Sequence, residues 1–435
     1  MTFNQAVDYI YASYMKAEPY LDYNAPDSVK RNPELSRGPI TKRQGVPTAL
    51  VTGSKGKGSV SKMIADILTA GYQVGLMTSP HILDFCERFC IQGKPVSHEA
   101  FIKALRAVKP EFDQIEQGLT NKQYISPMGI QTAVALELFG RASVDFQVLE
   151  CGKGVACDDV GQVAHKYSVI NRIFLEHTRE LGATIQEIAQ NKAAIITGGQ
   201  KAVFTSEQSP EVMEILTKRA ELCQVPLYKY GVDFWCENIS FTKSGIVFDV
   251  ITSKHTYRRL KLRLLGTFQA RNCALAIALC EMELGRLDEE ALKQTLLQLA
   301  WPGRLELLSQ NPVVLLDACI HPDSCGNMLE AIEKMGLSKV TTIIGIPFDK
   351  NYLGVVEKMT SVSDKMILSR STNPHYHFDK EQAVRASKIR ADVLWTEGIK
   401  EAMETAYQWD NPICILGTTS FVSDVLALAA TPRLL

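Results

Sequence analysis

The chain has 435 residues, of which 46% are hydrophobic and 22% charged, and its formal net charge is -1. A nearly neutral chain gives no reason to expect nucleic acid or an acidic membrane surface as a partner. No apolar run approaches the ~20 residues of a membrane helix, and the first residues lack a basic and apolar signal segment. Eleven cysteines without a C-x-x-C pair indicate neither a zinc site nor a disulfide framework. We therefore expect a cytoplasmic chain of two or three domains.

Residues 1–46 are predicted to form one short amphipathic helix and then a long loop. The helix is indicated by the spacing of four residues: Ala6, Tyr9, Ile10 and Tyr14. The stretch from about 20 to 46 is rich in Asn, Pro and Arg, which is typical of irregular structure.

A glycine-rich turn follows the first predicted strand, Thr48–Thr52. Three glycines allow a tight turn whose backbone N–H groups face an anion: Gly53, Gly56 and Gly58. From Ser59 onwards apolar residues recur at helical spacing. A strand, a glycine turn, a lysine, a hydroxyl and a helix N-terminus together predict a triphosphate cradle, in which Lys57 contacts the phosphates and Ser59 ligates Mg²⁺. The strict G-x-x-x-x-G-K-[ST] pattern is not met, because two of its positions differ.

Strands and helices alternate in the next part of the chain. The predicted strands are Gln73–Thr78, Asp145–Glu150, Tyr167–Asn171 and Ala202–Thr205, and the predicted helices include Pro127–Phe139 and Thr184–Ile196. Alternation of this kind favours a parallel sheet covered by helices.

The pattern changes near residue 227. Three successive strands, two of them joined by a turn at Lys243, predict an antiparallel meander: Trp235–Thr242, Gly245–Thr252 and Tyr257–Leu265. Helices are predicted at Ala270–Leu284 and Glu289–Leu299. A second alternating unit begins after Trp301–Arg304, with strands at Val313–Asp317, Val340–Gly345, Lys365–Ser369 and Ile413–Gly417.

The predicted fold class is α/β with two domains. Residues 1–300 are expected to form a P-loop parallel-sheet ATPase domain that includes a small antiparallel subdomain at about 227–266. Residues 301–435 are expected to form a second, Rossmann-like α/β domain.

Two candidate site residues follow from their positions. Glu150 ends a predicted buried strand, at the edge where parallel sheets place ligand sites. Lys192 lies four residues after Ile188, within the apolar stripe of a helix whose start is marked by the capping box Thr184–Glu187. Burial favours the neutral amine of such a lysine, which is the form that reacts with CO₂ to give a carbamate. The alternative is a lysine whose head group reaches solvent.

These features belong to a series of motifs that resembles the folylpolyglutamate synthases of the Mur ligase superfamily. The family's VTGTNGKGS turn is here VTGSKGKGS, and its TSPHL is TSPHI at Thr78–Ile82. Three further motifs follow in the family's order: ERFCIQGKPVS at Glu87–Ser97, LEHTRELGATIQEIAQNKAAI at Leu175–Ile195 and WPGRLE at Trp301–Glu306. The matches cover nearly the whole chain.

The resemblance implies an ATP-dependent, ADP-forming amide ligase that joins an amino acid to a carboxylate through an acyl phosphate. Because both ATP and the carboxylate are anions, metal ions and lysines have to neutralise charge while holding the reactants in line. The implied cofactors are ATP and Mg²⁺, the implied partners are small-molecule substrates, and we expect a monomer or weak dimer.

The resemblance also implies a set of site residues. The implied metal ligands are Ser59, Ser79, Glu150, His177 and Lys192, the last of which is often carbamylated in this superfamily. The implied ATP contacts are Gly53, Ser54, Lys55, Gly56, Lys57, Gly58, Ser59, Gln269, Asn272, Arg304 and Asp317. The predicted catalytic residues are Lys57, His177 and Lys192. The predicted substrate contacts are His81, Asp158 and His321.

Several positions depart from the family pattern. In the second-domain motif D-G-A-H-N-P, here Asp317–Pro322, the histidine is replaced by Ile320. Phe268 replaces the histidine before Gln269, and Lys55 replaces asparagine in the phosphate turn. The family's G-L-G-G-R-L-D-A-T-N is here GKGVACDDVG, without the arginine and the A-T-N.

The phosphate and metal residues are thus kept, while positions around the base and the substrates differ. We therefore expect ligation of an amino acid to a specialised, non-folate acid. Folylpolyglutamate synthase is the alternative, and an ATP-binding scaffold that no longer ligates is a further one.

Overall fold

The computed structural model describes residues 1–22, 24–242 and 244–429. Its α-helices, numbered α1 to α15, are Phe3–Ala17, Asp27–Lys30, Glu34–Thr41, Lys57–Leu68, His98–Glu116, Pro127–Arg141, Ile185–Ala193, Pro210–Cys223, Thr267–Leu284, Glu289–Gln298, Cys325–Lys334, Tyr352–Thr360, Glu381–Ala386, Ile399–Ala406 and Thr419–Ala429. Its strands, numbered β1 to β17, are Thr48–Thr52, Val74–Met77, Phe89–Ile91, Lys94–Pro95, Phe146–Glu150, Tyr167–Ile170, Ala202–Thr205, Leu227–Lys229, Phe234–Thr242, Gly245–Thr252, Thr256–Leu262, Glu306–Gln310, Val313–Asp317, Val340–Gly345, Ser363–Ser369, Val393–Thr396 and Ile413–Gly417.

Eight strands form the first sheet, in the order β4-β3-β2-β5-β1-β6-β7-β8. β1 pairs in parallel with both β5 and β6, whereas β3 pairs antiparallel with β2 and β4. β1 and β5 are buried along their whole length, as expected for strands covered on both faces. The predicted parallel sheet is therefore confirmed. Because β1 lies between β5 and β6, the carboxyl ends of these three strands are neighbours.

Helix α4 follows β1 and packs its apolar side into the core. The residues whose spacing predicted this helix are all buried: Val60, Met63, Ile64, Ile67 and Leu68. The predicted helix began at Ser59, whereas α4 begins at Lys57 after a left-handed Gly56. The turn therefore leads directly into the first helical residue.

The predicted loop between about 20 and 46 is wrong in part, because it contains the helices α2 and α3. Arg31 Nη2 donates to Asp159 at 3.2 Å, and Arg43 Nη2 donates to Glu111 at 2.7 Å. Ser36 in α3 also donates to the Asp159 carboxylate. These acidic partners lie far along the chain, so a composition typical of a loop did not reveal the contacts that order this segment.

The small sheet consists of three strands in the order β11-β10-β9. The strand β8 instead pairs in parallel with β7 in the first sheet, so the small sheet begins at Phe234 rather than near residue 227. Lys243, in the predicted turn before β10, lies outside the described residues.

A six-stranded sheet in the order β12-β13-β17-β14-β15-β16 forms the later part of the chain. β12 pairs antiparallel with β13, and the other pairs are parallel. Helices between these strands pack a core that includes Met328, Val355 and Met359. The second α/β domain that the alternating pattern predicted is confirmed.

The described residues cluster into two compact units. The first comprises the described residues within Met1–Cys236, Val250–Tyr257 and Arg271–Thr295, and the second comprises those within Glu237–Asp249, Arg258–Ala270 and Leu296–Leu435. The predicted division into 1–300 and 301–435 stays a prediction. Within the ranges that the structure covers, no helix has the length and apolar character required to cross a bilayer.

Candidate active site

The phosphate cradle lies where β1 gives way to α4. Gly53 and Gly56 have positive φ angles of 140° and 75°, which L side chains rarely adopt. A Cβ on Gly53 would lie 2.9 Å from Asn171 Cβ, and one on Gly56 would collide with the Asn171 amide. Among the described residues, no side chain caps the start of α4, so its first-turn N–H groups are available to an anion.

Two lysine amines converge on this cradle. Lys57 Nζ donates to the Gly53 carbonyl at 3.1 Å, and Lys192 Nζ donates to the same oxygen at 3.0 Å. Lys192 also donates to the Lys153 carbonyl at 2.6 Å and pairs with Glu176 at 3.2 Å. The structure thus brings together two of the three predicted catalytic residues at one backbone atom.

The predicted burial of Lys192 is confirmed, since its side chain is 0% exposed. The predicted capping box is also present at the start of α7, with Thr184 accepting from the Glu187 N–H. Burial and, to a smaller extent, the positive charge of Lys57 lower the pKa of Lys192 to about 8, although the Glu176 carboxylate raises it. Roughly a fifth of the amine is therefore neutral near pH 7.4.

Glu150 ends β5 beside the cradle and is 5% exposed. Its Oε2 accepts the backbone N–H of Ser79 at 3.0 Å. Val51 is the residue of β1 paired with Glu150, so the carboxylate lies next to the strand that leads into the phosphate turn. The structure therefore places two of the predicted metal ligands, Glu150 and Ser79, in direct contact, through the backbone of Ser79.

His177 follows β6 in a left-handed conformation, with φ of 48°. Its Nε2 lies 3.9 Å from Glu176 Oε2, and the other oxygen of Glu176 pairs with Lys192. Burial lowers the pKa of His177, although Glu176 raises it. Glu176 is a site residue that the sequence reasoning missed, although it stands next to His177 in the LEHT motif.

His81 is held by a half-buried arginine, Arg88, that the sequence reasoning also missed. Arg88 Nε donates to His81 Nδ1 at 2.9 Å, and Arg88 Nη1 donates to Gln131 at 2.8 Å. Burial and the neighbouring guanidinium lower the pKa of His81. The His81 imidazole is therefore held neutral, with Nδ1 as an acceptor and Nε2 as the donor left for a ligand.

Two other predicted residues support loops. Asp158 is 1% exposed, and its carboxylate accepts the N–H groups of Gly152 at 2.6 Å and Val160 at 3.1 Å. The Ser54 hydroxyl accepts from the Phe174 N–H at 3.1 Å. These contacts shape the loop after Glu150 and the phosphate turn, and direct contacts of Asp158 with substrate and of Ser54 with ATP stay predictions.

A cavity of about 420 Å³ opens beside the loop at Gly152. Three tyrosines contribute aromatic surface to it, namely Tyr11, Tyr14 and Tyr124. Charged residues complete much of its lining: Glu18, Asp27, Lys30, Arg31, Lys153 and Glu180. Its volume lies in the range of small-molecule sites, and its cations and acids balance in number.

The remaining predicted ATP contacts fall in both units. In the first unit, Lys55 is exposed, Ser59 is buried, and buried Asn272 accepts from Asn171 Nδ2 at 2.9 Å. In the second unit, Asp317 Oδ1 accepts the Leu305 N–H at 3.0 Å. Gln269 is buried, Arg304 is half-buried, and His321 is exposed beside Asp323.

The residues around the cradle suit a hard cation. Glu150 offers a carboxylate, Ser59 and Ser79 offer hydroxyls, and oxygen donors are those that Mg²⁺ prefers. The buried Thr52 hydroxyl at the end of β1 makes no hydrogen bond within the part of the chain that the structure describes, which fits a site completed by a ligand.

Comparison with known proteins places these features in a family. The Mur ligase middle domain matches residues 51–280. The dihydrofolate synthase/folylpolyglutamate synthase of Bacillus subtilis is 29% identical over 385 residues, covering 86% of this chain and 88% of that protein. The folylpolyglutamate synthase of Lacticaseibacillus casei is 27% identical over 380 residues, with the same 86% and 88% covered.

Solved structures share the fold over almost the whole chain. The folylpolyglutamate synthase of Mycobacterium tuberculosis complexed with ADP superposes with a TM-score of 0.85 at 24% identity, covering 97% of this chain and 99% of that one. An FPGS–AMPPCP–folate complex superposes with a TM-score of 0.82 at 25% identity, covering 98% of both chains.

Proposed function

We propose that this chain joins glutamate to the carboxylate of a folate. The chain belongs to the Mur ligase family as a folylpolyglutamate synthase-like member, and it is an ATP-dependent, ADP-forming ligase. The observation that carries the proposal is the similarity to named folylpolyglutamate synthases along 86% of the chain. It extends beyond the shared ATP-binding domain, so it bears on the substrates as well as on the phosphate chemistry.

The cradle supports the first step, in which the substrate carboxylate attacks the γ-phosphate of ATP and ADP leaves. The first-turn amides of α4 and the Lys57 ammonium bind the phosphates and neutralise part of their charge. Gly53 and Gly56 let the backbone approach the phosphates closely, since a side chain at either position would collide with Asn171. An amine then attacks the acyl phosphate, forms the amide bond and releases inorganic phosphate.

The metal ligands assigned from the sequence are part of this proposal. Glu150, Ser59, Ser79 and His177 would hold Mg²⁺, with Lys192 joining them if its amine is carbamylated. Bound there, Mg²⁺ neutralises the charge between the two anionic reactants. Lys192 as an amine stabilises the phosphate-turn carbonyl of Gly53, and Glu176 positions both Lys192 and His177.

The cavity beside Gly152 is the place that we assign to the acid substrate. Its three tyrosines offer flat apolar surface to an aromatic ring system. Gly152 and Lys153 line it only a few residues after Glu150, so an acid bound there has a short path to the cradle. A folate, which carries aromatic rings and a terminal carboxylate, fits this combination.

A specialised non-folate acid is the second candidate. It is favoured by the departures of this chain around its substrates, including Ile320 in the second-domain motif and Lys153 in the cavity. It has less support than a folate, because the relatives that cover most of the chain are folylpolyglutamate synthases. A scaffold that does not ligate has no support from these relatives, which are enzymes.

The test is a ligation assay on the full chain with Mg-ATP, glutamate and either dihydropteroate or reduced folates. We expect equimolar ADP and phosphate, and a product whose mass equals acid plus glutamate minus water. Glu150→Gln is the matched inactive control. Phosphate release with other acids, but none with any folate, would reject the proposed substrate and favour the second candidate.

A further inference from the structure

Three metal-ligating side chains meet outside the site described above. Asp84, Cys86 and His98 each direct one ligand atom into a common space, and these atoms all lie within 4.8 Å of one another. His98 Nε2 lies 2.7 Å from Asp84 Oδ2. All three lie outside the set of residues proposed to bind ATP, the acid or Mg²⁺.

The local structure fixes each member of this cluster. Asp84 is the N-cap of the 3-10 helix Phe85–Arg88, and its Oδ1 accepts the Cys86 N–H at 2.8 Å. This bond leaves Oδ2 directed at His98. The His98 ring lies at the start of α5 and stacks on Phe3, with ring centroids 3.6 Å apart and planes inclined by 5°. Asp84 and His98 are therefore oriented before any ligand arrives.

The three residues of the cluster differ in their exposure to solvent. The Cys86 residue is 1% exposed, whereas the side chains of His98 and Asp84 are 52% and 42% exposed. A cation can reach the cluster from solvent through His98 and Asp84 and meet the sulfur at the bottom. Water can supply the fourth ligand of a tetrahedral site.

We propose that Asp84, Cys86 and His98 form a zinc site, separate from the magnesium site of the cradle. A thiolate, an imidazole and a carboxylate are the three protein ligands that Zn²⁺ uses, with bond lengths of about 2.0 to 2.3 Å. Tetrahedral coordination at those lengths places ligand atoms roughly 3.3 to 3.7 Å apart. His98 Nε2 and Asp84 Oδ2, now 2.7 Å apart, would have to separate slightly to admit the ion, and the ligand atoms that lie up to 4.8 Å apart would have to approach. Small rotations of the exposed His98 and Asp84 side chains can supply both movements.

The ligand set also selects the metal. A thiolate is a poor ligand for Mg²⁺, which prefers oxygen donors in octahedral geometry. Millimolar Mg²⁺ in a ligase assay should therefore leave this cluster unoccupied by magnesium. Zn²⁺ and Co²⁺ both accept nitrogen and sulfur donors, which makes Co²⁺ a spectroscopic substitute.

Zinc binding would release a defined number of protons. Burial, with the Asp84 carboxylate adding to it, raises the pKa of the Cys86 thiol to about 12, so the sulfur carries its proton at neutral pH. Zinc takes the sulfur as thiolate, and the thiol proton passes to solvent. His98 binds through Nε2 and keeps one proton on Nδ1. One proton is therefore released for each zinc bound to neutral His98.

The cluster is connected to the segment that carries Ser79 and His81. The Glu87 carboxylate accepts the N–H groups of Ile82 at 2.7 Å, Leu83 at 3.1 Å and Asp84 at 3.0 Å. A metal on Asp84 would hold this short chain of hydrogen bonds to the start of α5. We therefore expect zinc to stabilise the 78–88 segment against exchange of its amide hydrogens.

The experiment titrates Co²⁺ into the reduced, metal-free full chain without ATP. We expect one equivalent to bind with a thiolate-to-cobalt charge-transfer band, and Zn²⁺ to remove that band. Cys86→Ser should abolish the band, and His98→Gln should weaken Co²⁺ binding at least ~10-fold. Cys90→Ser is the matched control, because Cys90 is a neighbouring buried cysteine outside the cluster, and it should leave the titration unchanged.

Two results would overturn the proposal. One is a wild-type titration that shows no charge-transfer band, in which case Asp84 and His98 form only a hydrogen-bonded pair. The other is an unchanged band and affinity in Cys86→Ser, which would place the metal on another cysteine. Circular dichroism of each variant, together with its retained phosphate release with Mg-ATP, shows whether a lost signal reflects a lost fold.

Discussion

Lys192 is the residue through which the electrostatics of the cradle can be measured most directly. Replacing it by methionine keeps most of the length of the side chain and removes its charge. In the folded chain the amine titrates near pH 8, compared with 10.5 for an ordinary lysine. Between these values the unfolded chain holds the proton and the folded chain has released it. The titration of Lys192 therefore contributes a free energy of unfolding that rises with pH across this window.

The size of the effect follows from the two pKa values. The interval from about 8 to 10.5 corresponds to about 3 kcal/mol. Lys192→Met lacks this titration, so the difference in the free energy of unfolding between the wild type and the variant should grow with pH across this window. The other titrating groups are common to both proteins and cancel in the difference.

The assay is equilibrium urea unfolding at a series of pH values from 7 to 10.5, in CO₂-free buffer without ATP or Mg²⁺. Exclusion of CO₂ keeps Lys192 as an amine. The signal should follow the first compact unit, for example by hydrogen exchange of β1 amides. Lys218→Met serves as the matched control, since Lys218 is an exposed lysine paired with Glu214.

Parallel pH profiles for the wild type and Lys192→Met would refute the reasoning. They would mean that Lys192 keeps an ordinary pKa in the folded chain, and that its neutral amine is not available for carbamylation near pH 7. If the difference in the free energy of unfolding from the wild type also grew toward pH 10 for Lys218→Met, the effect would come from the loss of any cation and not from Lys192 itself.

Three further predictions test other parts of the site. Glu150→Gln should lower kcat for ATP-dependent ligation by at least ~10²-fold while ATP still binds. A phosphate-release rate equal to that of the wild type would contradict the role assigned to Glu150. Gly56→Ala should lower the free energy of unfolding by about 1–3 kcal/mol and raise the KM for ATP. Gly140→Ala, where a Cβ has open space, should change neither quantity. Thermal unfolding and the kinetics of ATP use measure the two effects. Glu176→Gln should lower the pKa of Lys192 further, because the Glu176 carboxylate raises it. Lysine ¹³C NMR measures this pKa, and an unchanged value would contradict the prediction.

The cradle was predictable because its signals are local. Gly53 and Gly56 do have the positive φ angles that a phosphate turn needs, and the helix that follows buries the residues whose spacing predicted it. Lys192 lies in the buried stripe that its spacing from Ile188 indicated. In each case the deciding interaction joins residues within about two helical turns of one another.

The parts that were missed depend on residues far apart in the chain. Arg88 is a charged residue in the mostly apolar stretch Phe85–Ile91, and only its contacts with His81 and Gln131 give it a role. Asn171 shapes the phosphate turn from the next strand over, where it occupies the space beside Gly53 and Gly56. Helix α3 contains Pro39, which favours a loop locally, yet its Ser36 is bonded to Asp159. No local pattern encodes these pairs.

The pairing of β1 has a consequence for how this chain tolerates insertions. Val51 is in register with Glu150 on one side, and Thr52 is in register with Ile170 on the other. One residue added within β1 would either shift the phosphate turn against both neighbours or turn every following side chain of the strand to the opposite face. An insertion scan should therefore find β1 intolerant along its whole length. By contrast, insertions at Gly199, where an added Cβ would meet nothing within 4 Å, should be accepted.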